Sequence, residues 1–309
     1  MEVQFLYFYQ QSLLEMFNFL ANYLEENKLS WSATFGTCLG AVRHKGIIPW
    51  DDDIDIAMPR KDLVKLLSLK EDLERLGYEL KTPWDKDAHI PFYRLYKTDS
   101  TIWGRPGYFL RKVWIDIVAL DETTLSHKQY SFRLEEYWKI VNRWRNSIEK
   151  TPFKEYVYLL RTAHYGGIVE RIYFSFLHPF KKKFHSDFLK IESSFNENTG
   201  HHYVMPSSQI GYIGYFPKYW FDNTILVPFG KFSVRIPKDY DQYLSTVYGD
   251  YMTPPPPSER VNKHNLYYIN LNECLTKAEV RRRVQKSVDI NNPYACDNET
   301  SSFWRKIGF

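Results

Sequence analysis

Four carboxylates fall within five residues, Asp51, Asp52, Asp53 and Asp55, and apolar neighbours hold them on both sides. Pro49 and Trp50 lead in, and Ile54, Ile56 and Met58 follow at every second position. A bare acidic run reads most simply as a solvated turn. This one lacks that freedom. Asp53 to Met58 alternates with period two, which predicts a strand with Ile54, Ile56 and Met58 on its core face. Asp53 and Asp55 then share the other face. Two carboxylates side by side at the start of a buried strand repel unless a cation lies between them. Hard oxygen donors of this kind suit Mg²⁺ or Mn²⁺.

A further acid interrupts an apolar run. Val113-Trp114-Ile115-Asp116-Ile117-Val118 reads as a buried strand with one charge inside it. Such a charge is costly unless it is paired or bound to metal. If this strand lies beside residues 53–58, Asp53, Asp55 and Asp116 converge, and such a constellation binds one or two Mg²⁺ for phosphoryl chemistry. The competing reading is an Asp–Arg pair in the core. Arg94, within Phe92-Tyr93-Arg94-Leu95-Tyr96, is expected either to supply that pair or to reach the cleft. Sixteen residues before Asp52, Gly36-Thr37 opens a helical turn and can offer backbone N–H groups and a hydroxyl to phosphate. Arg43 and Lys45, in the loop between, are either phosphate neutralisers or surface charges.

The whole stretch, Gly36-Thr37-Cys38-Leu39-Gly40-Ala41-Val42-Arg43-His44-Lys45-Gly46-Ile47-Ile48-Pro49-Trp50-Asp51-Asp52-Asp53-Ile54-Asp55-Ile56, resembles the signature of the LicD family. Trp114-Ile115-Asp116-Ile117 and the segment from Pro237 to Arg260 resemble that family's later motifs. Cys38 stands where the family often has Leu. The resemblance implies a nucleotidyltransferase fold related to fukutin and fukutin-related protein. It also implies transfer of a phosphorylated alcohol, phosphocholine in the best-known case, from a CDP-activated donor to a hydroxyl of a bacterial cell-surface glycan such as lipopolysaccharide, capsule or teichoic acid. By position, Asp53, Asp55 and Asp116 resemble the metal-binding and catalytic carboxylates, with Asp51 beside them. Gly36, Thr37, Arg43, Lys45 and Arg94 are expected to hold the donor, CMP to leave, and Asp53 or Asp116 to take the acceptor's proton. The alternatives are nucleotidyl transfer from an NTP with pyrophosphate release, a DxD glycosyltransferase and a non-catalytic glycan-binding protein.

Around this core the chain reads as a mixed α/β (α+β) protein. Residues 1–125 form the catalytic core, entered by an amphipathic helix over 4–26. Residues 126–200 form a helical insertion, 201–290 return to the catalytic unit, and 291–309 form a tail. Helices are expected over 60–76, 238–248 and 276–288, and Arg260 and His264 are candidates to close over a substrate. Lys and Arg number 41 against 37 Asp and Glu, too balanced for a nucleic-acid binder. No apolar run approaches the roughly 18 residues of a membrane span. The start lacks a positively charged leader, and three scattered cysteines suit a reducing cytoplasm. The 54 aromatic residues suggest a surface that meets sugar or lipid. Fifteen of them lie in residues 128–190, which also carry 13 Lys and Arg against 6 Asp and Glu. Those helices fit either a peripheral patch on anionic lipid or a groove for a lipid-linked glycan. The plainer reading is a subdomain with ring-filled core and solvated charges.

Overall fold

The computed structural model describes residues 2–103, 110–148, 160, 165–197, 199–208, 210–260 and 268–286. The chain divides into two compact units. One comprises residues 1–97, 114–137 and 190–263, the other residues 98–113, 138–189 and 264–309.

The first unit begins with helix α1 (Glu2–Glu26). Leu13, Phe17, Leu20 and Leu24, at the helical spacing read from sequence, are fully buried. Asn27 Nδ2 donates to the Tyr23 carbonyl, and Lys28 takes a left-handed backbone (φ 54°), so the helix stops where Asn27-Lys28 predicts. Strand β1 (Ser32–Ala33) is shorter than expected. Helix α2 (Phe35–Leu39) runs into a π-helical turn, Gly40–His44. A Cβ on Gly40 would lie 2.5 Å from the Gly46 carbonyl oxygen, so only glycine lets this turn fold back on itself.

Strand β2 (Asp55–Pro59) leads directly into α3 (Arg60–Ser68), and α4 (Lys70–Arg75) follows after a break at Leu69. The expected single helix over 60–76 is thus two. Strands β3 (Tyr78–Lys81), β4 (Tyr93–Lys97), β5 (Thr101–Trp103), β6 (Leu110–Arg111) and β7 (Trp114–Thr123) follow. The sheet of the first unit runs β1-β2-β7-β4-β3. β2 and β7 are parallel and their other neighbours antiparallel, so the sheet is mixed. β7 is buried over nearly its whole length, which is why its sequence is continuously apolar around Asp116. Beyond Leu120 the strand pairs with β8 (His202–Val204), itself paired with β9 (Tyr215–Pro217). There Arg60 donates from Nε and Nη2 to Asp121 at 2.7 Å, and from Nη2 to Glu192 at 2.6 Å.

Helices α5 (His127–Ile148), α6 (Tyr165–Leu177) and α7 (Lys181–Ser193) realise the helical segment. The break read at His178-Pro179 is a 3-10 turn. Gly166-Gly167, read as another, lies in the first turn of α6. The break near Thr151-Pro152 falls outside the described residues. Short helix α8 (Lys218–Asp222) precedes hairpin β10 (Thr224–Phe229) and β11 (Phe232–Pro237), turned at Gly230 with φ 61°. Phe229 and Phe232 pack edge-on against Phe17 of α1. Helix α9 (Tyr240–Tyr248) closes this unit's regular structure.

In the second unit, β12 (Tyr268–Asn270) joins β5 and β6 in a three-stranded sheet. Trp103, Tyr268 and Val280 of α10 (Lys277–Lys286) form its core. Trp144 stacks on Phe188 with centroids 4.4 Å apart. Part of the aromatic excess is therefore core: Trp114, Trp144, Tyr93, Tyr203, Phe195 and Phe216 are all fully buried. The expected tail over 291–309 lies outside the described residues.

Candidate active site

The parallel pairing of β2 with β7 sets Asp55 directly opposite Asp116. On the other side of β7, antiparallel β4 sets Arg94 opposite the same Asp116. Arg94 Nε donates to Asp116 Oδ1 at 2.5 Å and Nη2 to Oδ2 at 2.9 Å, a bidentate pair that is fully buried. Trp114 Nε1 adds a bond to Oδ2 at 3.2 Å, and its ring lies under the guanidinium at 4.7 Å. The core ion pair weighed in the sequence is therefore present. Asp116 reaches the carboxylate cluster already partnered, and any cation it helped to hold would share its oxygens with Arg94. Arg94 is committed to that acid rather than exposed to a donor.

The strand starts at Asp55, two residues later than read, so Asp51, Asp52 and Asp53 occupy the loop before it. One oxygen from each of those three lies within 4.8 Å of the others. Asp55 and Asp116 stand alongside. Burial first, then the charges of Asp53, Asp116 and Asp51, hold the Asp55 carboxyl well above the usual carboxylate range. Burial and the neighbouring Asp53 likewise push Asp51 up to about 8. The Arg94 guanidinium opposes this shift, and it is shared with Asp116. The arrangement therefore gathers more negative charge than its own guanidinium compensates.

Local geometry explains how the loop stays there. Thr37 Oγ1 accepts a bond from the Asp55 backbone N–H at 2.8 Å, so Thr37 anchors the strand start. Its own hydroxyl hydrogen is left to donate elsewhere. A Cβ on Gly36 would sit 2.7 Å from Asp51 Oδ2, so the glycine leaves room for that carboxylate. Phe35 has an unusual left-handed backbone (φ 45°), and its N–H donates to the Tyr243 hydroxyl at 3.0 Å. Tyr243 also bonds the Thr34 hydroxyl.

Arg43 donates to the Tyr251 carbonyl at 2.6 Å. Arg260 lies over the Trp50 ring at 5.2 Å, and His44 packs edge-on to the same ring. Burial and the nearby Arg43 and Arg260 hold the His44 pKa below its ordinary value. Arg43 and Arg260 thus supply positive charge on either side of the neutral His44 ring, beside Trp50 and Asp51. Lys45 is exposed, with left-handed backbone, and its carbonyl accepts from Gly230 N–H at 2.7 Å. His264 falls outside the described residues.

Two residues of α1 escaped the sequence reading. Gln10 Nε2 donates to the carbonyls of Ile48, Pro49 and Asp51 at 3.2, 3.3 and 2.7 Å. Tyr9 is buried, its hydroxyl has no hydrogen-bond partner among the described residues, and burial together with the charges of Asp52 and Asp53 raises its pKa. The available signal was a polar side chain at position 10, three residues before Leu13, on the helix's apolar face.

The carboxylates thus lie on a loop beside the parallel β2–β7 pair, next to the Gly36-Thr37 turn. Residues 28–158 match the family described as "LicD/FKTN/FKRP, nucleotidyltransferase domain". These residues are a LicD-family domain. Over 267 residues the chain is 26% identical to the lipopolysaccharide cholinephosphotransferase LicD of Haemophilus influenzae, covering 82% of this chain and 92% of that one. Uncharacterized proteins of Rickettsia prowazekii and Rickettsia typhi are 40% and 37% identical over 67 and 70 residues, 22% and 23% of this chain and 25% and 23% of theirs. The LicD domain holds Asp51, Asp52, Asp53, Asp55, Asp116 and Arg94. Gln10, Tyr243 and Arg260, which hold or flank its acidic loop, come from outside the matched residues.

Proposed function

We propose that this chain is a LicD-type phosphotransferase. It moves phosphocholine, or a similar phosphorylated alcohol, from a CDP-activated donor to a hydroxyl of a bacterial cell-surface glycan and releases CMP. The observation that carries the reading is the uncompensated carboxylate cluster of the LicD domain. Its relative from Haemophilus influenzae is named for cholinephosphate transfer to lipopolysaccharide.

The donor set fits a divalent cation: hard oxygens, three of them mutually within 4.8 Å, on a loop tied down by Gln10 and Thr37. Asp51 and Asp53 of that group, with Asp55 beside them at the start of β2, would hold Mg²⁺ or Mn²⁺, and Asp116 would stand at the edge through its shared oxygens. Bound there, the ion would neutralise charge on the donor's pyrophosphate. The chain's own residues do the rest. Arg43 and Arg260 supply positive charge beside Trp50 for the phosphates. The Thr37 hydroxyl donates to a phosphate oxygen while its own oxygen fixes Asp55. The acceptor hydroxyl attacks phosphorus in line. Its proton passes to Asp53 or Asp116, whichever carboxylate the ion leaves unsaturated.

Product analysis separates this from nucleotidyl transfer. Incubation with a panel of CDP-alcohols, Mg²⁺ and lipopolysaccharide is expected to yield CMP. Pyrophosphate from CTP, with CDP-alcohols left intact, would replace this reading with the nucleotidyltransferase one.

A further inference from the structure

Within the second unit, α6 carries an exposed apolar stripe that no other described residue covers. Val169, Ile172, Tyr173 and Phe176 fall at i, i+3, i+4 and i+7 and are 69%, 46%, 52% and 72% exposed. Helical periodicity puts them on one face. Phe180, one turn beyond, extends the stripe at 55% exposure. Buried rings elsewhere in the same helical segment, such as Trp144 against Phe188, show what its core looks like, and these residues are not part of it. Lys181, Lys182 and Lys183 follow at once, all exposed. The acids within residues 165–189 are Glu170 and Asp187, against Arg171 and these three lysines.

We infer that this face docks on an anionic phospholipid surface. An apolar stripe ending in a lysine cluster matches what a bilayer interface offers. The rings and aliphatic side chains enter the acyl boundary while the ammonium groups meet lipid phosphates. The long lysine stems let the charge stay at headgroup level while the stripe goes deeper. The helix lies on the surface rather than crossing it. No helix among the described residues is long and apolar enough to span a membrane. The inference is independent of the chemistry proposed for the LicD domain, since it requires no donor, acceptor or metal.

The test is co-sedimentation of the full chain with phosphatidylcholine vesicles, with and without phosphatidylglycerol, at low and high salt. The chain is expected to pellet with phosphatidylglycerol vesicles at low salt and to stay in solution with phosphatidylcholine alone. Replacing Lys181, Lys182 and Lys183 by Gln together should weaken binding about 100-fold, at roughly fivefold per lysine. Ile172→Ser with Phe176→Ser should weaken it at least tenfold. Both variants change exposed positions, and circular dichroism should show unchanged helix content. Three results would overturn the inference: no pelleting of wild type with anionic vesicles, pelleting of both variants like wild type, or a dimer in light scattering that the Ile172/Phe176 variant dissolves.

Discussion

Asp55 carries the site's chemistry at the scale of a single residue. Its carboxyl is partly buried, faces Asp53, Asp116 and Asp51, and shares the Arg94 guanidinium with Asp116. Asp51 is in the same position, pushed from 3.8 to about 8. Both folded-state pKa values lie above the unfolded ones. The native chain therefore binds more protons than the unfolded chain between about pH 4 and pH 8, and the stability these groups contribute is lost as pH rises through that window. We predict that the chelator-treated protein melts progressively lower from pH 5 to pH 8. Mn²⁺, competing for the deprotonated carboxylates, should raise the melting temperature more at pH 8 than at pH 5. Asp55→Asn should flatten the pH dependence and weaken the Mn²⁺ effect, both readable by differential scanning fluorimetry. An equal Mn²⁺ shift in wild type and Asp55→Asn would place the ion elsewhere.

At the scale of elements, three pieces of chain converge on the acidic loop: the β4–β7 pair, α1 and the segment from Tyr240 to Arg260. Arg94 on β4 keeps Asp116 tolerable inside β7. Arg94→Met should cost about 3–5 kcal/mol in urea unfolding, because it strands a buried carboxylate. Adding Asp116→Leu should recover most of that loss while leaving the protein inactive. Helix α1 acts through Gln10, whose amide holds three carbonyls of the loop. Gln10→Leu should lower stability by about 1–3 kcal/mol. It should also speed hydrogen exchange at the Asp51 amide, which donates to Ile48 O at 2.9 Å. A general destabilisation without local exchange at Asp51 would make Gln10 an ordinary core residue. These elements also mark where sequence stops being informative. The run from Gly36 to Ile56 and the interrupted strand at Asp116 could be read because the costly residue and its local pattern lie in one stretch. Gln10, Tyr243 and the Arg260–Trp50 stack could not, because each acts on a loop 38 to more than 200 residues away. The break at Leu69 and the late start of β2 also escaped, since apolar spacing alone sets neither a helix interruption nor a strand's first residue.

At the scale of the whole molecule, the near-neutral charge conceals a division of labour. The first unit concentrates acid on one loop and sets Arg43 and Arg260 beside it. The second carries the lysine cluster and the exposed stripe of α6. Many of the rings that made the composition unusual fill core, and the exposed ones are spread over several elements, from Tyr7 and Phe8 of α1 to Tyr173 and Phe176 of α6 and Tyr219 of α8. The most direct measurement is CMP release from CDP-choline at saturating Mg²⁺ with lipopolysaccharide present, compared between wild type and Asp55→Asn after both are shown to be folded. We predict steady CMP production by wild type and a loss of roughly 100- to 1,000-fold in the variant, the scale expected when preorganised charge stabilisation is removed. CMP release by Asp55→Asn at near the wild-type rate would contradict the assignment of the carboxylate cluster as the reaction centre.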